Sequence, residues 1–221
     1  EGRVPVWGDA DDARVLPCGD QHLNDHRYLP TLIGAAWDVP ELCDKAPASL
    51  NELFWLLGPS SCRKLQPLTP TPARNSLAFE QGGYYILQNN RDHIFVDCAP
   101  VGLAGRGGHG HNDALAFEAV LDSCRLIVDR GAYAYTLDPE ARNEFRSTPS
   151  HNTPSINAIE INAIPANDPW TLRYEAHPHV HRWEPGPEAD LFQGSHTGYH
   201  KLHPPVTPLR TIQLVHEHHL L

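Results

Sequence analysis

The run Gly107-Gly108-His109-Gly110-His111-Asn112-Asp113 holds the densest set of chemically capable side chains in the sequence. On an extended chain, residues two apart point to the same face, whereas on a helix they diverge by about 200°. His109 and His111 therefore converge if the run leads into a strand, and the glycines leave room for a ligand or a second backbone. Neutral imidazole is a good zinc ligand. The same pattern also serves as a polar turn ahead of a strand, and spacing alone does not separate the two.

Asp129 and His151 bear on the same question. Asp129 closes the apolar run Leu126-Ile127-Val128, where a carboxylate needs a cation, a donor or a metal. His151 lies within the small polar run from Arg146 to Thr153. A hairpin centred on Ser123 sets Asp129 opposite Phe117, so periodicity does not itself bring Asp129 to His111. Arg142 and Arg146, four apart, suit bidentate contact with substrate carboxylates or internal pairing with Glu140 or Glu144. Tyr133 and Tyr135 share one strand face that lines either the cleft or the core, and core packing is the better reading. His177, His179 and His181 share a face too, and Pro178 among them reads as a solvated edge strand. His196 reads as a satisfied polar residue.

The elements that must position these groups change character near residue 66. Leu50, Leu53, Phe54 and Leu57 follow helical spacing; Ser49 and Glu52 form a capping box and Gly58-Pro59 a stop. Arg27 to Trp37 is a second, weaker helix, with Pro30 in its first turn. Residues 67–74 form a proline-rich linker, with three prolines between Gln66 and Arg74. From residue 75 the period becomes two. Tyr84 to Leu87 and His93 to Val96 flank Asn89-Asn90-Arg91-Asp92 as a hairpin. Leu115, Phe117 and Leu121 share one strand parity, and Arg125 to Asp129 is a second strand after Asp122-Ser123. Arg210 to Val215 is a late strand, and His216 to Leu221 looks like a strand pair with no closing partner. The expected fold is mainly β: an antiparallel sandwich over 75–221 behind a helical segment over 1–66.

Composition narrows the function classes. The chain has 221 residues, a net charge of −10 and 20% charged residues. No apolar run reaches the roughly 18 residues of a membrane span. An acidic balance without a basic block argues against nucleic acid. Five scattered cysteines without a C-x-x-C argue against a zinc ribbon or a disulfide framework, and leave the compartment open. With no methionine, the sequence reads as a fragment or a processed piece.

The runs G-G-H-G-H-N-D-A-L-A-F-E, R-L-I-V-D-R-G-A-Y-A-Y and R-N-E-F-R-S-T-P-S-H-N-T together resemble the signature of the heparinase II/III-like polysaccharide lyases. The opening G-D-A-D-D-A-R-V-L and the late G-S-H-T-G-Y-H-K-L-H-P-P-V are similar to stretches of the same family. The resemblance implies that 1–66 ends an (α/α) toroid and that 75–221 is the following sandwich. It implies β-elimination on a uronic-acid polysaccharide: a base takes the C5 proton, an acid protonates the O4 leaving group, and the C6 carboxylate is neutralised. Residue by residue, it implies that His109 is the acid/base candidate, and that His111, Asp129 and His151 bind one structural zinc. The family's catalytic tyrosine and asparagine/histidine lie in the toroid and match nothing here, so this chain alone should not turn over substrate. The resemblance leans toward a periplasmic or secreted protein, an acidic polysaccharide or oligosaccharide partner and, in isolation, self-association as a homo-oligomer.

Three other readings stay open. H-x-H-x-D is similar to the metallo-β-lactamase-type hydrolases, but Ala114 stands where that motif has a further histidine. A cupin-like barrel lacks its downstream ligands. A carbohydrate-binding or interaction sandwich with a structural metal fits the acidic charge: residues 91–151 carry six Lys/Arg against nine Asp/Glu, which is no basic groove.

Overall fold

The computed structural model describes residues 4–9, 16–18, 22, 25–26, 28–43, 50–64 and 75–216. Leu77–Phe79 (β1), Tyr84–Gln88 (β2), His93–Asp97 (β3), Phe117–Leu121 (β4) and Cys124–Ile127 (β5) form a five-stranded antiparallel meander. Pro178–Glu184 (β6), Ala189–His196 (β7) and Leu209–Val215 (β8) form a second, three-stranded antiparallel sheet. Alternation sends Tyr85, Leu87, Ile94 and Val96 of the first sheet into one core with Phe192, Ile212 and Leu214 of the second. The fold is the expected antiparallel sandwich.

The local signals act as their chemistry dictates. Asn89 accepts from the amides of Arg91 and Asp92 and closes the β2–β3 hairpin, in which Gln88 pairs with His93. Asp122 and Ser123 both adopt positive φ, the geometry that matches the twist of a two-residue hairpin. A bulge in β4–β5 leaves Ala119 opposite Ile127 and the ladder stops there: the amide and carbonyl of Phe117 bond the Asn152 side chain, while the Asp129 amide donates to Glu118. β6 is an edge strand with Pro178 as its first residue, and His177, His179 and His181 are exposed along it.

Residues 139–145, expected among strands, are helical instead. Pro139–Phe145 (α3) has Pro139 in its first turn and Asp138 as its cap, accepting from the Ala141 amide. Tyr133 also departs from the reading as core: it is 71% exposed and stacks on Phe145.

The helical residues form their own compact unit. Tyr28–Trp37 (α1) carries Pro30 in its first turn, and Leu50–Leu57 (α2) stops at Gly58, whose positive φ only glycine adopts cheaply. Ala35, Cys43 and Leu53 make its small core, while Phe54, Trp55, Leu56 and Leu57 stay exposed. Ser49, the linker and residues 217–221 lie outside the described residues. The stretch from Pro5 to Asp9 belongs with the strands, not with the helices that follow it. No helix among the described residues is long and apolar enough to cross a membrane.

His196 is buried beneath Tyr199, its Nδ1 accepting from the Gly198 amide and its Nε2 meeting no partner. Burial, helped by the charges of His200 and Arg210, pulls its pKa down to about 4. In the unfolded chain the same group titrates near 6.5. The unfolded state therefore takes up a proton first as pH falls. Stability should drop between pH 6.5 and 4 by about 3 kcal/mol from this group, and level off below. Denaturation curves across that window should show the loss, and His196→Gln should remove it.

Candidate metal and acid–base site

Beyond β3 the chain passes through a glycine-rich loop that bends at Gly108 and His109 and again at Asn112 before it reaches β4. His109, His111 and Asp113 all line one open pocket of about 190 Å³. Asn112, between them, points the other way: it is fully buried, donates to Glu160 and exchanges hydrogen bonds with Asn162. The convergence of His109 and His111 expected from their spacing is what the structure shows. Gly110 has no room for a side chain, since a Cβ there would sit 2.3 Å from the Val101 carbonyl oxygen.

The Pro5-to-Asp9 strap lies across this run. The amide of Val6 donates to Glu118 at 3.0 Å, that of Gly8 to Asp113 at 3.3 Å, and that of Asp9 to the His109 carbonyl at 3.0 Å. The approach requires glycine at position 8, where φ is +59° and a Cβ would meet the His109 carbonyl oxygen at 2.5 Å. Asp9 is then sealed in. Its Oδ1 meets His111 Nε2 at 3.0 Å and Arg142 Nη1 at 2.7 Å; its Oδ2 meets His109 Nδ1 at 3.0 Å and Arg142 Nη2 at 2.8 Å. Burial pushes the Asp9 pKa up, but the hydrogen bonds from His111 and Arg142 outweigh it and hold the carboxyl well below the usual range.

His151 comes to the same place from the turn after α3. Its Nδ1 lies 2.7 Å from Asp129 Oδ2. Burial disfavours the charged ring, yet the Asp129 hydrogen bond and the charges of Asp113, Asp129 and Glu160 raise its pKa on balance.

Carboxylates only accept, so these contacts fix what each neutral ring offers. His111 donates through Nε2 and keeps a lone pair on Nδ1; His151 donates through Nδ1 and keeps one on Nε2. Those two nitrogens, His111 Nδ1 and His151 Nε2, are buried without a partner. A buried lone pair without a donor is costly, and two on neighbouring rings, 5.3 Å between centroids, suit a metal ion. Asp113 supplies a carboxylate: His111, Asp113 and His151 each have a ligand atom within 4.8 Å of the others. The surrounding charge fits a cation too. Burial and the Asp113 charge hold Asp97 well above the ordinary carboxylate range, against the Ala99 amide that opposes them. Burial and the charges of Asp97 and Asp113 push Tyr84 up to about 12.

His111 and His151, expected as ligands, are thus brought together. Asp129, expected as the third, stands behind His151; the carboxylate grouped with both rings is Asp113. Two ligands of one tetrahedral zinc, each bound at about 2 Å, are roughly 3.3 Å apart, so 2.7 Å is a hydrogen-bond distance.

The expectation that Arg142 and Arg146 meet substrate carboxylates is corrected by their burial. Arg142 is 1% exposed, stacked against Trp170 and Tyr135, and spent on Asp9 and on the carbonyls of Pro169 and Gly108. Arg146 is wholly buried and donates to Asn143 and to the carbonyls of Asp168, Pro169 and Thr171. Both arginines tie together the chain behind the site and neither lines the pocket. Asp9, which holds the site together, was missed as a site residue; the signal for it lay in the G-D-A-D-D opening.

A family model described as "Heparinase II/III-like, C-terminal" matches residues 71–221. No curated protein matches the chain in sequence. Among solved structures, the chain is similar to heparan sulfate lyase HepC from Pedobacter heparinus, at 16% identity and a TM-score of 0.61 over 96% of this chain and 28% of that one. A structure described as heparinase III matches at 17% identity and 0.64, over 97% of this chain and 29% of that one. The heparinase III BT4657 gene product matches at 16% and 0.62, over 96% and 27%. The chain therefore spans less than a third of those proteins' length, and at these identities the likeness shows the fold.

Proposed function

The chain belongs to the heparinase II/III-like family by its match over residues 71–221, and from that premise we propose that it forms the metal-bearing sandwich of a polysaccharide lyase acting by β-elimination on a uronic-acid polysaccharide. The observation that carries the reading is His109. Its Nδ1 is engaged by Asp9, its side chain is 65% exposed, and its ring borders the pocket against the edge of Trp170. Nε2 is left to exchange a proton with a sugar bound there. Among the described residues no arginine lines the pocket, so neutralisation of the C6 carboxylate is assigned to the toroid expected ahead of the sandwich.

The metal is zinc, one per chain, held by the lone pairs of His111 and His151 with Asp113, while Asp129 orients His151. Its charge offsets the Asp113 carboxylate, which otherwise repels an anionic sugar. Here its part is structural, and His111 and His151 shape the wall on which His109 stands.

In a lyase-active protein containing this chain, His109→Ala should lower turnover by roughly 10² to 10⁴. Metal content and melting temperature should hold. The assay is the absorbance of the unsaturated uronate product. Full activity in that variant would remove His109 from the chemistry and favour a carbohydrate-binding sandwich, the reading that the acidic pocket supports.

A further inference from the structure

One carboxylate serves two histidines in opposite senses. Asp9 Oδ2 faces Nδ1 of His109, while Asp9 Oδ1 faces Nε2 of His111, both at 3.0 Å. We propose that Asp9 is a positioning residue that locks the two rings in opposite tautomers: His109 with its proton on Nδ1 and its lone pair on Nε2, His111 with its proton on Nε2 and its lone pair on Nδ1. The part of this that concerns substrate rests on the lyase reading; the tautomers do not.

The geometry leaves Asp9 no second arrangement. Four donors from three side chains occupy its two oxygens, and its side chain is 1% exposed. Arg142 grips it through two parallel hydrogen bonds and is itself stacked on Trp170 at 4.5 Å, so the carboxylate plane cannot turn. The strap fixes the backbone from the other side, through the Asp9 amide and the His109 carbonyl. A simple ion pair with Arg142 would need neither histidine.

The consequence is directional. His109 Nε2 takes or returns a proton on the pocket side, and His111 Nδ1 faces His151, where its lone pair is useful to a metal. A histidine held by a carboxylate in this way is a better ligand, and loss of such a partner typically costs 10–100-fold in metal affinity. It also keeps a proton-transfer ring in its productive tautomer.

Nitrogen-15 correlation spectra of the imidazoles read this directly in the zinc-loaded protein. The wild type should show His109 as Nδ1–H and His111 as Nε2–H. In Asp9→Asn, an amide replaces one acceptor with a donor. His109 should then move to the Nε2–H form that free imidazole prefers, and zinc affinity should fall by about 10–100-fold. In a lyase-active protein the same variant should lose kcat by about 10²-fold with KM little changed. If the wild type holds His109 as Nε2–H, or if Asp9→Asn leaves both tautomers unaltered, the proposal is overturned. If Asp9→Asn does not fold, the wild-type spectrum alone decides. Opposite tautomers in a full-length protein, toroid included, that shows no lyase activity would uphold the Asp9 lock and sink the lyase reading instead.

Discussion

Replacing His111 with alanine should release close to one metal ion per chain and lower the melting temperature by roughly 10 °C. A metal present at a thousand times its Kd stabilises the folded state by about 4 kcal/mol, and a domain of this size shifts by about 2–4 °C per kcal/mol. Chelation of the wild type should reproduce the shift, because a preformed pair of buried lone pairs ties binding to folding. Metal analysis beside calorimetry makes the measurement. The carboxylates then sort themselves: Asp113→Asn should lose the metal, whereas Asp129→Asn should only weaken it by about 10–100-fold. The reverse order would restore the set His111, Asp129 and His151 implied by the resemblance. A metal-free wild type with an unchanged melting temperature would end the metal site altogether.

Arg142→Ala should be the most destabilising single change in the site, by about 3–5 kcal/mol in chemical denaturation. It removes both guanidinium contacts to Asp9 and leaves its carboxylate and the His111 imidazole sealed away from water with one cation fewer. Arg142→Lys should recover part of the loss, since a single ammonium cannot match the two-pronged geometry. A cost under about 1 kcal/mol would mean that water reaches the pair, as it does for surface bridges.

Much of the sandwich was legible because its signals are local. Asn89 to Asp92 turns one hairpin and Asp122-Ser123 another, and both stand within a few residues of the strands they join. The convergence of His109 and His111 was legible for the same reason: a period of two needs only an extended chain. α3 carried a readable cap in Asp138 and Pro139, but it was outweighed by the β pattern on either side. What stayed hidden was tertiary. Nothing near Arg142 in sequence shows that a carboxylate 133 positions away will claim it. Asp113, two residues past His111, had the right parity for the site, yet the motif drew attention to Asp129. The bulged ladder and the turn after α3 then placed Asp129 against His151.

The strap that carries Asp9 is joined to the rest of its unit only through the residues between it and position 73. While that stretch is whole, Asp9 meets Arg142 as part of one molecule, at the millimolar or higher local concentration that a covalent tether supplies. A proteolytic cut there would end that covalent link, and the strap's hydrogen bonds to Glu118, Asp113 and His109 would then have to keep Asp9 in place on their own. The integrity of the pocket therefore rests on chain continuity through residues outside its own unit.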